Sequence, residues 1–175
     1  MDTTLDRFRA HSDESRSVVH ECPGWDDVAA LALELAGSDR VAIAPSLASD
    51  VPQLLVPLGD HALVPTTDDP VAPVANIAVG IVRGELAVAE TGSVLISAHA
   101  LADRSVSMLA RTVVQVVDRD RFVERLDEVA RWLAAQGRAP GYASLVTGPS
   151  RTADIERSLT IGVQGPGEVH VVALG

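Results

Sequence analysis

Short aliphatic runs broken by turn residues set the rhythm of this chain. VAIAPS stops at Pro45 and HALVP at Pro65, while RTVVQVVD, YASLVT and EVHVVAL are each long enough for one buried strand. Helical spacing fills the intervals. A helix capped by Asp26 or Asp27 carries Val28, Leu31 and Leu35 on one stripe and stops before Gly37. SDVPQLLVPLG predicts a second helix, with Asp50 as its cap, Pro52 in the first turn and Pro57 limiting its length. ALADRSVSMLA predicts a third helix. Phe122 to Gln136 predicts a fourth, with Leu126, Val129, Trp132 and Leu133 in register before Gly137. TADIERSL reads as a short helix. IAVGIVRGELAVAETGSVLIS reads as a helix or strand followed by two strands, and residues 66–76 as a turn-rich connection.

Strands alternating with helices require crossover connections and a mostly parallel sheet covered on both faces. The expectation is an α/β protein of three layers, α/β/α. Residues 1–22, polar and mixed in charge, form an N-terminal arm or short helix; residues 23–175 form one domain.

Composition narrows the functions. Fourteen basic against 24 acidic residues give a net charge of -10, and every cationic side chain is Arg. Such a surface repels phosphate backbones and anionic lipid, which argues against nucleic-acid partners. No apolar run reaches the roughly 18 residues of a membrane helix, and the N-terminus has no apolar leader, so a cytoplasmic location is expected. The single cysteine, Cys22, excludes an internal disulfide and a self-contained iron–sulfur cluster. The five histidines show no paired metal-ligand spacing, so no metal site is expected.

Three polar segments interrupt the apolar pattern. TGPSRTADIE follows the YASLVT strand, where α/β proteins gather ligands. Ser150 or Thr152 as a helix cap, free N–H groups behind it and the Arg151 guanidinium would attract a carboxylate or phosphate. Asp154 and Glu156 would satisfy Arg151, favour the helix start or work on the ligand; an acid in a first helical turn is also ordinary stabilisation. AETGS places Glu90, Thr91 and Gly92 between two apolar runs. A partly buried Glu90 would serve as base or nucleophile; alternatively it ties down the backbone of a polar bend. GVQGPGE, with Gln164 and Gly165, permits close backbone approach to a ligand or makes a tight turn into the last strand.

AETGSV, YASLVTGPSRTADIE and IGVQGPGEVHVVAL, in that order, resemble the LUD-domain family, in its lactate utilization protein C group. The resemblance covers about residues 70–174. It implies a fold like that of ribose-5-phosphate isomerase and the coenzyme A transferases, and a part in oxidising L-lactate to pyruvate beside partner proteins that carry iron–sulfur clusters. No cofactor is implied in this chain. Two departures stand out: Gln164 replaces an expected histidine and so cannot titrate near neutral pH, and Ala110 and Arg111 stand where relatives carry a proline pair.

The resemblance implies a subunit of a lactate utilization system, and the residues offer Glu90 as candidate base. Thr91, Gly92, Ser150, Arg151, Thr152, Asp154, Gln164 and Gly165 are its candidate ligand contacts, for a small anionic metabolite. Two other readings are a non-catalytic anion-binding or regulatory module, and a stand-alone enzyme acting on a phosphorylated or coenzyme A-linked substrate.

Overall fold

A computed structural model describes residues 3–137, 141–153, 159–161 and 165–175. Six strands form one all-parallel sheet in the order β1 (Val18–Cys22), β12 (Glu168–Leu174), β7 (Thr112–Asp118), β4 (Val79–Arg83), β2 (Val41–Ile43), β3 (Ala62–Leu63). The central strand β7 carries Val113, Val114, Val116 and Val117, all nearly inaccessible to solvent, as a parallel strand covered on both faces requires. Helix α2 (Trp25–Ala36) connects β1 to β2, and α3 (Pro45–Asp50) and α4 (Leu55–Leu58) lead on to β3. Helix α5 (Leu101–Leu109) lies on the route back from β4 to β7. Because right-handed crossovers that travel in opposite directions lie on opposite faces, α2 and α5 cover different sides of the sheet. The expected α/β class with a mostly parallel sheet is what forms.

A second sheet was not foreshadowed by the pattern. Its order is β8 (Phe122–Val123), β5 (Leu86–Val88), β6 (Ser93–Ala98), β9 (Tyr142–Val146), with β5–β6 and β6–β9 antiparallel. Both faces are buried at β5 and along most of β6, whereas Ala143 and Leu145 of β9 are exposed. Ala87, Val94 and Ile96 join the main core, whereas Leu86, Val88 and Leu95 meet Val129 and Trp132 of α6 (Asp127–Ala135). The chain changes sheets between two consecutive residues. The Gly84 N–H donates to Val116 O of β7 at 2.8 Å, and the Glu85 N–H donates to Leu95 O of β6 at 2.8 Å. Only a residue without a Cβ fits there: a Cβ on Gly84 would lie 2.5 Å from Val94 Cγ1 and 2.7 Å from Val117 Cγ2.

Several expectations are corrected. Of the two alternatives for the N-terminal segment, loose arm or short helix, residues 3–22 take the helical one. They form α1 (Thr3–Ser15) and the edge strand β1, and Phe8 is fully buried with its ring edge-on to Phe122, centroids 5.1 Å apart. Asp50 ends α3 rather than capping a helix, because Pro45 already occupies the first turn. The fourth helix begins at Asp127, not Phe122: Phe122 and Val123 pair with Ala87 and Val88 instead, their burial against β5 outweighing the helical spacing. Asp27 does support the start of α2, its Oδ2 accepting the Gly24 N–H at 3.1 Å.

Candidate functional site

The helix expected over TADIERSL is not there at either end. Arg151–Ala153 forms β10 and Leu159–Ile161 forms β11, an antiparallel pair with Thr152 opposite Thr160. The β-branched residues Thr152, Thr160 and Ile161 suit a strand, and this preference overrides the apolar spacing. No helix N-terminus therefore follows Ser150, and anion binding by a helix dipole at this point is withdrawn. Asp154 and Gln164 lie outside the described residues.

AETGS is the turn between β5 and β6. Gly92 adopts φ +64°, and a Cβ on it would lie 2.8 Å from the backbone of His11 and Ser12. His11 Nδ1 lies 2.8 Å from Ala89 O. The TGPS turn meets the same helix: Gly148 has φ +79°, and its Cβ would lie 2.3 Å from Ser15 O. Helix α1 therefore buttresses both motif turns, which a Ser93 Oγ···Thr147 Oγ1 contact of 2.6 Å ties together. Glycine is required at both positions by the positive φ and by the approach of α1.

Glu90 is exposed rather than buried, and its Oε2 accepts the Leu126 N–H at 2.8 Å at the start of α6. The carboxylate ties the β5–β6 turn to the start of α6, and it lines neither of the cavities described below. Thr91 Oγ1 is buried without a hydrogen-bond partner. Neither Thr91 nor Gly92 borders either of these two cavities.

The structure does bring the other two motif segments together. A cavity of about 270 Å³ is bordered by Thr147, Gly148, Ser150, Gly165, Pro166 and Tyr142. The Ser150 N–H donates to Pro166 O at 2.9 Å, and a Cβ on Gly165 would lie 3.2 Å from Ser150 Cβ. Among the described residues, its lining holds hydroxyls, glycines and apolar groups, and no carboxylate. Such a lining accepts a small anion without opposing charge.

A second cavity, of about 260 Å³, lies where open α/β sheets bind ligands, outside the carboxyl ends of β2 and β4. The connection from β2 runs outward to β3, while that from β4 runs inward to β7, so this is the topological switch point. Asp50, Arg83, Glu85, Asp103, Trp132 and Gln136 border it. Arg83 is ion-paired with Asp118, Ser97 Oγ donates to Glu85 Oε1 at 2.6 Å, and Asp103 Oδ1 accepts the Ser46 N–H at 2.8 Å. Sequence reasoning missed this site. Its signal was present in VRGE, a polar break directly after an apolar strand, and in AIAPS.

Among the described residues, no group of three metal-ligating side chains converges, and no helix is long and apolar enough to cross a membrane. Cys22 is buried, and burial, with the Asp27 carboxylate adding to it, pushes its thiol pKa up, away from the reactive thiolate.

Comparison with known proteins agrees with this architecture. Lactate utilization protein C of Shouchella clausii is 37% identical over 91 residues, which make up 50% of this chain and 40% of that relative. The Bacillus subtilis protein of the same name is 37% identical over 92 residues, 50% of this chain and 38% of the relative. The match thus spans about two fifths of these relatives. A crystal structure of a DUF162 family protein from Deinococcus radiodurans superimposes with a TM-score of 0.69 at 18% identity, covering 98% of this chain and 96% of that one. The family model described as the LUD domain matches residues 73–174, more than half of the molecule and inclusive of both cavities' β4–β6 and Ser150–Pro166 walls: this chain belongs to the LUD domain family.

Proposed function

We propose that this chain serves in lactate utilization by binding a small carboxylate of the 2-hydroxy or 2-oxo type, L-lactate or pyruvate, in the Ser150/Gly165 cavity. The observation that carries the reading is the convergence of Ser150 and Gly165, from two separate motif segments, on one cavity whose described lining carries no carboxylate. Thr147, Tyr142 and Ser150 offer hydroxyls for the carboxylate and the 2-oxygen, and Arg151, next in the chain after Ser150, supplies the counter-charge. The names of the relatives support the process. The redox step falls to partner proteins with iron–sulfur clusters, since one buried cysteine offers no four-thiolate ligand set.

The test is an ¹H–¹⁵N NMR titration of the full chain with L-lactate and with pyruvate. Saturable shifts at Thr147, Gly148 and Gly165, weakened at least about tenfold (roughly 1.4 kcal/mol) by Arg151→Gln and by Ser150→Ala, are expected. Shifts that stay linear to high millimolar ligand, or that both substitutions leave untouched, refute the reading. Co-purification of the tagged chain from lactate-grown cells tests the partners separately.

A further inference from the structure

We infer that the cavity at the β2/β4 switch point is a second, separate binding site, and that it takes an uncharged, hydroxyl-rich molecule of monosaccharide size. Its volume of about 260 Å³ falls just below the roughly 300–1,000 Å³ of drug-sized ligand pockets, which limits the occupant to about one sugar ring.

Charge decides the class. Among the described residues, three carboxylates, Asp50, Glu85 and Asp103, border the cavity beside the His99 imidazole, and the Arg83 guanidinium is already engaged by Asp118. A phosphate or free carboxylate would meet uncompensated like charge there. Carboxylates are pure acceptors with capacity for more than one bond: among the described residues, Glu85 receives the Ser97 hydroxyl and Asp103 the Ser46 N–H. What such acceptors need is a ligand that donates, and vicinal hydroxyls donate in closely spaced pairs.

The remaining wall fits the same class. Trp132 is half-buried and gives an apolar face against which the C–H groups of a ring can pack. Gln136, which donates to Trp132 O at 3.0 Å, has an amide oxygen and a second N–H without a partner among the described residues, able to pair with ligand hydroxyls. Position on the fold is independent of both arguments: the switch point holds Glu85 by its backbone bond to Leu95 and Arg83 by its place at the end of β4. Acceptors, apolar wall and backbone are thus in place before a ligand arrives.

The chain has two tryptophans, Trp132 in this wall and Trp25 at the start of α2, so their indole N–H resonances serve as reporter and control. The full chain is titrated with myo-inositol, D-glucose, D-glucose 6-phosphate and putrescine. A saturable shift of the Trp132 indole with inositol or glucose, an unmoved Trp25, and at least about tenfold weaker binding of the phosphorylated sugar are expected. Glu85→Gln, which keeps the shape, should reduce that discrimination. An unmoved Trp132 with both neutral polyols, equal or tighter binding of the phosphorylated sugar, or a response to putrescine alone would overturn the assignment. Lactate and pyruvate report on Gly148 and Gly165 in the same spectra, so the two cavities succeed or fail independently.

Discussion

His20 Nε2 and His170 Nδ1 lie 2.9 Å apart, bridging β1 and β12, with the two rings stacked at 16°. One ring donates and the other accepts, so the contact requires at least one neutral imidazole. Burial lowers both pKa values from the ordinary 6.5; His20 further lowers that of His170, while Glu34 beside His20 and Glu168 beside His170 oppose the shift without reversing it. The unfolded chain therefore binds more protons than the folded one just below pH 6.5, and stability rises with pH through that window. Stability is full above the unfolded value and declines as pH falls through 6.5 toward the lower folded values. Urea midpoints measured between about pH 7.5 and about pH 5.5 should fall on acidification, and His170→Asn should flatten that slope. An equal slope in the variant would remove the pair from the account. Glu21, held low by its bonds to Arg9 and Arg119, acts in a different window, losing its contribution only as pH drops below its ordinary 4.5.

Gly84→Ala tests the change of sheets. The added methyl meets Val94 and Val117 at 2.5 and 2.7 Å, between two packed sheets that have no slack. A loss of about 1–3 kcal/mol is expected, read as a lower denaturant midpoint at unchanged m-value. A neutral result would mean that the two sheets separate more easily than the packing implies.

Helix α1 is expected to control the Ser150/Gly165 cavity without lining it. Gly148→Ala combines a φ of +79° with a 2.3 Å approach to Ser15 O, so α1 must shift. We expect destabilisation of about 2 kcal/mol or more, roughly 4–8 °C in Tm for a chain of this size, and weaker lactate or pyruvate shifts. Phe8→Ala should cost about 3–5 kcal/mol through the same seam. Unchanged ligand shifts in a folded Gly148→Ala protein would detach the helix from the site.

Glu90 separates a bend residue from a catalytic base. As the acceptor of the Leu126 N–H, its replacement by Ala should cost about 1 kcal/mol and leave ligand shifts at Gly148 and Gly165 intact. Loss of lactate-dependent growth in a Glu90→Gln strain whose protein is folded and abundant would instead restore the base.

Legibility in the sequence tracked the range of the interaction. Strands β2, β7 and β12 were visible because each is an aliphatic run buried on both faces, a property of the segment itself, while β4 was left open between helix and strand. TADIERSL misled because its apolar spacing allows a helix, while the pairing of Thr152 with Thr160 depends on a second segment. The site was half legible. TGPS and GPG showed themselves as polar, glycine-bearing interruptions, but nothing in either segment says that Ser150 meets Gly165. Phe122 and Val123 lay inside the span read as helical, and their pairing with Ala87 and Val88, with Phe8 packed edge-on to Phe122 from more than a hundred residues earlier, makes a strand the better solution.

By itself, the sequence determined an acidic α/β chain with one cysteine, a parallel sheet of Val, Ala and Ile, and three glycine-bearing turns that carry the family resemblance. The tertiary structure alone decided that β5, β6, β8 and β9 leave the main sheet, that α1 closes against two of those turns, and that Glu85, Asp103 and Trp132 share a cavity. The reason is physical. Hydrophobic period and turn chemistry act over a few residues and are written locally, whereas strand partners and cavity walls are chosen by burial among segments far apart in the chain.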